Sequence, residues 1–156
     1  MAQENLKLVD FSLTSEERTY EYGIPIEQVL EITRPSEVTK LPGMPDFIEG
    51  IMNLRGNVIP IMDLKKRFGL GTTVKQDETR IVVIKLDQRK CGIIVDEVLE
   101  IIPLPGADIE DPPAFAGGVD SNFIIGIGKV DHRLIIALDM RKILTARETE
   151  QLSVAE

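Results

Sequence analysis

The chain has 156 residues, a formal net charge of -8 at pH 7, and 43% apolar but only 4% aromatic residues. This acidic balance argues against a nucleic-acid backbone or an anionic membrane surface as the main partner. A chain of this length buries roughly 70% of its unfolded surface, in one sizeable core or two small fused ones. Because Trp is absent, we expect Ile, Val and Leu to build that core, which favours strands.

The lack of a recognisable targeting signal and the single cysteine predict a cytoplasmic protein. The first residues lack the basic, apolar and small-residue succession of a signal peptide. No apolar run approaches the ~18 residues that cross a bilayer, so we expect no insertion into a membrane. Cys91 is the single cysteine and has no partner for an internal disulfide, as is usual in a reducing compartment.

The first third of the chain predicts three strands in succession. Apolar residues on both parities from Leu6 to Leu13 predict a strand covered on both faces. After a polar reversal, Thr19 to Ile24 predicts a second strand, which Pro25 ends. The chain resumes from Ile26 to Ile32, and one helical turn is predicted after Pro45.

The stretch from Gly50 to Gly69 predicts a β-hairpin followed by a short capped helix. Arg55-Gly56-Asn57 supplies the turn, because Gly and Asn tolerate the positive φ that a tight reversal needs. Asp63 is the predicted N-cap of a helix from Leu64 to Phe68, with Gly69 as its stop. An apolar hairpin thus presents an arginine, Arg55, at its tip.

The rest of the chain predicts five more strands and a closing helix. Asp139 is the predicted cap of a turn from Met140 to Leu144, and Thr145-Ala-Arg-Glu148 is a capping box that opens a C-terminal helix at about 145–153. The strands are predicted at Arg80–Leu86, Lys90–Val95, Val98–Leu104, Phe123–Val130 and Arg133–Leu138.

The chain also repeats itself. Gly23–Ile32 and Gly92–Ile101, 69 residues apart, are identical at six of ten positions, and Gly50 and Asp63 recur 76 residues on as Gly126 and Asp139. We interpret this as an internal duplication of a five-strand unit. Each unit of about 70 residues would be marginal alone, so we expect the two to share a core.

The duplication predicts an all-β fold with minor helix. We expect two tandem five-stranded SH3-like antiparallel barrels that share a core, followed by the short C-terminal helix. Barrel one is placed at about 18–70 and barrel two at about 80–140, with the strand at 6–13 packing against both. Residues 1–156 would then form a single domain.

The two copies differ at the hairpin tip. Asn53-Leu-Arg-Gly56 of the first copy matches Lys129-Val-Asp-His132 of the second, so Arg55 is replaced by Asp131, whereas Glu31 is matched by Glu100. A scaffold requirement would be met in both copies, so the arginine is specific to the first. Glu31 and Arg55 can pair, although such a surface ion pair contributes only about 0 to 1 kcal/mol.

The hairpin tip is one of several motifs spread over nearly the whole chain. These motifs are Phe11, Tyr22–Ile32, Val38-Thr39, Phe47–Gly50, Asn53–Gly56, Pro60, Asp63-Leu64, Gly92–Asp96 and Leu138-Asp139. Together they resemble the CheW family of bacterial chemotaxis coupling proteins. The resemblance implies a cytoplasmic adaptor without catalytic activity, cofactor or metal. It would couple methyl-accepting chemoreceptors to the histidine kinase CheA and be recruited to membrane-bound chemoreceptor arrays.

The resemblance also implies which residues meet each partner. The regulatory domain of CheA would pack against Val9, Ile24 and Leu41, and a neighbouring kinase in a ring would contact Phe115. The cytoplasmic tip of the chemoreceptor would lie in a groove between the barrels, formed by Val29, Glu31, Gly50, Asn53, Arg55, Gly56, Thr79 and Ile101.

Other functions remain open on the residue pattern. An adaptor of a chemosensory array that controls something other than flagella would carry the same motifs. A small-barrel nucleic-acid-binding module would need basic and aromatic residues on one face, whereas Lys65-Lys66-Arg67 is the one basic cluster in the sequence. His132 has no Cys, Ser or second His at ligand or triad spacing, so no enzyme is predicted.

Overall fold

The computed structural model describes residues 4–86, 88–112, 121–144 and 148. Two β-sheets hold almost all of the regular structure, and apart from the single helical residue Glu148 the described residues contain one α-helix, α1, at Leu64–Arg67. Short 3-10 turns lie at Ile26–Gln28, Gly106–Asp108, Ser121–Phe123 and Met140–Lys142. The strands are β1 Leu6–Ser15, β2 Arg18–Pro25, β3 Val29–Thr33, β4 Ile48–Leu54, β5 Asn57–Asp63, β6 Arg80–Leu86, β7 Arg89–Val95, β8 Glu97–Leu104, β9 Ile109–Glu110, β10 Ile124–Val130 and β11 Arg133–Leu138.

The sheets exchange strands between the two copies of the repeat. The first sheet has the order β8-β1-β2-β11-β10-β9, and the second has the order β3-β6-β7-β5-β4. Each contains one parallel pair: β2 with β11, where Gly23 lies opposite Ala137, and β7 with β5, where Gly92 lies opposite Ile61. These two pairings are equivalent under the repeat, so the duplication is present in the three-dimensional structure.

The all-β class with two sheets is confirmed, but the predicted barrel boundaries are wrong. β2, which falls within 18–70, belongs to the sheet of β8 to β11, and β6 and β7, which fall within 80–140, belong to the sheet of β3 to β5. β1 is an interior strand between β8 and β2. The boundaries are wrong because strands are exchanged between the two copies. The exchange also places one parallel strand pair in each sheet, whereas the prediction was of wholly antiparallel barrels.

Local predictions held best where a side chain caps a turn. The Asp63 side chain accepts a hydrogen bond from the Lys65 backbone N–H at 3.1 Å and caps α1, and Asp139 accepts from the Arg141 N–H in the same way. The helical turn expected after Pro45 is instead a single reversal closed by Ile48 N–H to Pro45 C=O. The predicted C-terminal helix lies outside the described residues except for Glu148, which is helical.

The largest core lies between the sheets. Tyr22 of β2 packs on Phe11 of β1 and on Phe68 after α1, with ring centroids 5.9 and 5.4 Å apart. Buried residues of both sheets join this cluster, including Ile24 and Ile93. Each sheet also encloses a smaller cluster of its own, and the fold is therefore two small barrels fused through a shared core. The first barrel is the one formed by the first sheet, with β1 and β8, and the second barrel is the one formed by the second sheet, with β3 and the β4–β5 hairpin.

Candidate functional site

The tip of the β4–β5 hairpin is a two-residue turn held by its own side chains. Leu54 and Asn57 form the last cross-strand pair, and Arg55 and Gly56 both have positive φ, 52° and 86°. The Asn53 Oδ1 accepts a hydrogen bond from the Gly56 N–H at 2.9 Å. The predicted turn is confirmed, and the Asn53 side chain holds the tip in one conformation.

Glu31 and Arg55 form the predicted ion pair. The Arg55 Nη2 lies 3.3 Å from the Glu31 Oε1, and the two side chains are 77% and 29% exposed. Glu31 is on β3, one edge of the second sheet, and the β4–β5 hairpin is at the other edge. The pair therefore bridges the two edges of this barrel and leaves most of the guanidinium open to solvent.

Gly50 has a packing role in the same hairpin. Its φ is +146°, and a Cβ there would lie 2.1 Å from the Thr39 carbonyl oxygen. That approach is part of a bridge in which Thr39 and Ile51 exchange two backbone hydrogen bonds of 2.8 Å. Gly126, its counterpart, would meet the Glu110 carbonyl oxygen at 2.8 Å, so this requirement belongs to the scaffold of both copies.

The remaining groove residues are spread over the two sheets. Val29 is half-buried on β3 and packs against the shared core. Thr79 is buried, and its hydroxyl accepts a hydrogen bond from the Gln76 N–H at 2.8 Å. Ile101 lies on β8 of the first sheet and is 54% exposed. The structure thus brings Glu31, Asn53, Arg55 and Gly56 into one cluster and places Ile101 on the other barrel.

The predicted kinase-binding residues occupy less accessible positions. Val9 and Ile24 lie opposite each other on β1 and β2 and are buried, because both strands are interior to the first sheet. Leu41 is half-buried in the connection between β3 and β4. Phe115 lies outside the described residues. A role of these four residues in binding stays a prediction.

Sequence reasoning missed two exposed leucines, Leu30 and Leu99. Each is the extra residue of a β-bulge, one in β3 opposite β6 and the other in β8 opposite β1, and a bulge turns a side chain away from its regular direction. They are 47% and 39% exposed and lie at matching places in the repeat. The available signal was that Val-Leu-Glu-Ile recurs with apolar residues on both parities of an edge strand.

A shallow depression lies beside the tip, with a volume of about 420 Å³. Its lining residues are Ser36, Glu37, Thr39, Ile51, Met52, Asn53 and Val58. Within the described part of the chain, no group of three His, Cys, Asp or Glu side chains is placed to hold a metal ion. None of the helices in that part has the length and apolar character needed to cross a membrane.

Comparison with known proteins gives consistent matches over nearly the whole chain. The model of the CheW-like domain family matches residues 7–148. Chemotaxis protein CheW of Klebsiella aerogenes is 36% identical over 82% of this chain and 77% of its own length, and that of Treponema pallidum is 34% identical over 96% and 88%. Protein FrzA of Myxococcus xanthus is 33% identical over 81% and 80%.

A solved structure shares the fold. The scaffolding protein TtCheW from Thermoanaerobacter tengcongensis matches with a TM-score of 0.82 and 39% identity, over 94% of this chain and 92% of its own.

Proposed function

The chain belongs to the CheW-like domain family, and from that membership we propose that it couples chemoreceptors to the histidine kinase CheA. As a member of this family it is a chemotaxis scaffold protein and not an enzyme. In the proposed function it works in the cytoplasm, recruited to membrane-bound chemoreceptor arrays, and contacts the cytoplasmic tip of the receptor and the regulatory domain of CheA.

The hairpin tip is the observation that carries this proposal. Arg55 is 77% exposed, yet it is oriented by Glu31 and by a turn that Asn53 closes. Its counterpart Asp131 has the same backbone conformation and the opposite charge. Since the fold accepts either charge at this place, the arginine is free to serve a partner.

The receptor tip fits this surface by its chemistry. A helical hairpin offers an apolar stripe, which helix-in-groove recognition places against apolar side chains. Ile101 supplies such a side chain on the first barrel, and Val29 supplies another at the edge of the second. Arg55 adds charge-assisted hydrogen bonds that set the register of the helix.

The kinase side of the proposal depends on a different part of the surface. Leu41, half-buried in the connection after β3, would contact the CheA regulatory domain directly. Val9 and Ile24, being buried, would support that face from beneath. Phe115 would meet a neighbouring kinase in a ring.

Reconstitution tests the proposal. The purified protein is mixed with CheA and with a membrane-inserted chemoreceptor, and receptor-dependent phosphorylation of CheA is measured with and without the protein. We expect kinase activity to respond to receptor ligand only when the protein is present. Failure to retain either the receptor or CheA in a pull-down would overturn the proposal.

A second candidate is an adaptor of a chemosensory array with another output. The observation that favours this candidate is the similarity to Protein FrzA. That relative is not named as a chemotaxis protein CheW, unlike the other two relatives described above. A pull-down from the source cell distinguishes the two by the response regulators that copurify with the kinase. If those response regulators act on proteins of the flagellar switch, the first candidate is favoured.

A further inference from the structure

The first barrel contains a buried carboxylate where the second barrel has valine. Asp10 of β1 is fully buried and lies opposite Gly23 of β2 and Glu100 of β8. In the second barrel, Val83 lies opposite Gly92 and Glu31, which are the repeat counterparts of Gly23 and Glu100. Val83 packs in the core of its barrel. Asp10 therefore places a carboxyl group at a position where the second barrel has the apolar side chain of Val83.

Arg133 is the counterion of this carboxylate. Its Nη2 lies 3.0 Å from the Asp10 Oδ2, and its Nε and Nη2 each lie 3.1 Å from an oxygen of Glu21. The counterpart of Arg133 in the first copy is Asn57. In the second copy, the arginine comes two residues after Asp131, the counterpart of Arg55. Its side chain is directed toward the barrel, whereas that of Arg55 is directed toward solvent.

The charges in this cluster do not balance. Asp10 on β1 faces Glu21 from β2, Glu100 from β8 and Arg133 from β11, so three carboxyl groups share one guanidinium. The Asp10 Oδ1 has no hydrogen-bond partner within the described residues. Burial, followed by repulsion from Glu21, outweighs the attraction of Arg133 and raises the pKa of Asp10 to about 7.

We propose that Asp10 is a positioning residue for β8, the strand that carries Ile101, that Glu21 and Arg133 act on β8 only through the charge of Asp10, and that a proton on Asp10 controls how firmly β8 packs against β1. This inference rests on the proposed function, because Ile101 is a wall of the proposed receptor groove. Val9, next to Asp10, lies opposite Ile101, so the titrating residue is beside the groove strand.

The direction of the effect follows from the position of β8. It is an edge strand, held in its sheet through β1 alone. When Asp10 releases its proton to water, a second negative charge faces Glu100 across the β1–β8 ladder, where like charges directly opposite are destabilising. Rising pH therefore loosens β8 and, with it, the side chain of Ile101.

Amide hydrogen exchange of β8 tests this without any partner. Asp10→Asn keeps the side-chain shape and removes the ionisation, while Asp131→Asn removes an acid at the tip of the β10–β11 hairpin as the matched control. At each pH the wild-type rate is divided by the rate of Asp10→Asn, which cancels the intrinsic pH dependence. We expect this ratio, measured for the β8 amides that donate to β1, to rise about tenfold between about pH 6 and 8, and a constant ratio would overturn the inference.

Receptor binding provides the second measurement. Affinity for a soluble receptor-tip fragment should fall about tenfold over the same pH interval in the wild type and in Asp131→Asn, and stay level in Asp10→Asn. An equal pH dependence in all three proteins contradicts the inference. Absence of binding at every pH contradicts the proposed function instead, and the exchange ratio still decides the inference. If Asp10→Asn does not fold, Asp10→Val, the residue type of the other barrel, replaces it in both measurements.

Discussion

Arg55 and Asp131 occupy the same position in the two halves of the chain and share a left-handed backbone, with φ of 52° and 55°. Each begins a two-residue hairpin turn, closed by Gly56 in one copy and His132 in the other. The turn is therefore a property of the scaffold, and the side-chain charge is the variable. This separation of shape from charge makes the tip suitable for mutation.

Replacement of Arg55 by Ala should weaken receptor coupling and leave the fold intact. Alanine and arginine both carry a Cβ and meet a similar steric cost in this left-handed backbone conformation, and an exposed ion pair such as that with Glu31 contributes about 0 to 1 kcal/mol to stability. We expect receptor affinity to fall by about tenfold or more, because the charge-assisted contacts to the partner are lost. Titration with a receptor-tip fragment and thermal unfolding are the two measurements.

Asp131→Ala is the matched control for that experiment. It changes the same position of the other hairpin, and we expect receptor affinity close to that of the wild type. If Arg55→Ala unfolds at a clearly lower temperature while its folded fraction couples normally, Arg55 is a structural residue and the tip is not the receptor contact.

Replacement of Gly50 by Ala should destabilise the second barrel. The new Cβ would lie 2.1 Å from a backbone oxygen of Thr39, and the φ of +146° is unfavourable for any side chain. The bridge between Thr39 and Ile51 must open, and we expect a loss of about 2 to 4 kcal/mol in the free energy of unfolding. Urea denaturation measures it.

Gly126→Ala is the comparison for Gly50→Ala. Its Cβ would lie 2.5 Å from a side-chain carbon of Ile109 and 2.8 Å from the Glu110 carbonyl oxygen, and its φ lies outside the left-handed range. The backbone contact is longer than the 2.1 Å at Gly50 and no left-handed φ adds strain, so we expect the smaller loss here. A larger loss than that of Gly50→Ala would show that the close approach of Thr39 does not determine the need for glycine.

How far the sequence predicted this structure depends on the range of the interaction. The Asp63 cap and the Arg55-Gly56 turn were predicted because each is decided by residues within a few positions. The pairing of β2 with β11 was not, since a repeat with offsets of 69 and 76 residues looks the same whether strands pair within a copy or between copies. Asp10 was missed because its counterion, Arg133, is 123 residues away.

Replacement of Arg67 by Met should loosen the junction of the two copies. The guanidinium lies between the rings of Phe47 and Phe123, 4.9 and 5.1 Å from their centroids, and its Nε donates to the Ile143 carbonyl at 3.0 Å. Losing both kinds of contact should cost about 1 to 3 kcal/mol.

Arg67→Lys separates charge from shape at this junction. Lysine keeps the positive charge but lacks the planar group that stacks on two rings, so we expect most of the loss to remain. Both variants are measured by urea denaturation. A lysine variant as stable as the wild type would show that charge alone suffices, for example through the ion pair with Glu148.

The free energy of unfolding should depend on pH through Asp10. Its pKa is raised from 3.8 to about 7 in the folded protein, so between these values the folded state holds a proton that the unfolded state has lost. That contribution to stability is complete below about pH 4 and disappears as pH rises through about 7. Relative to Asp10→Asn, the wild type should lose about 2 to 4 kcal/mol between about pH 4 and 8. Urea denaturation of both proteins at several pH values gives the difference between their free energies of unfolding. Groups that titrate in the same way in both proteins cancel in this difference. A difference independent of pH would mean that Asp10 is ionised throughout, with Arg133 compensating its burial in full.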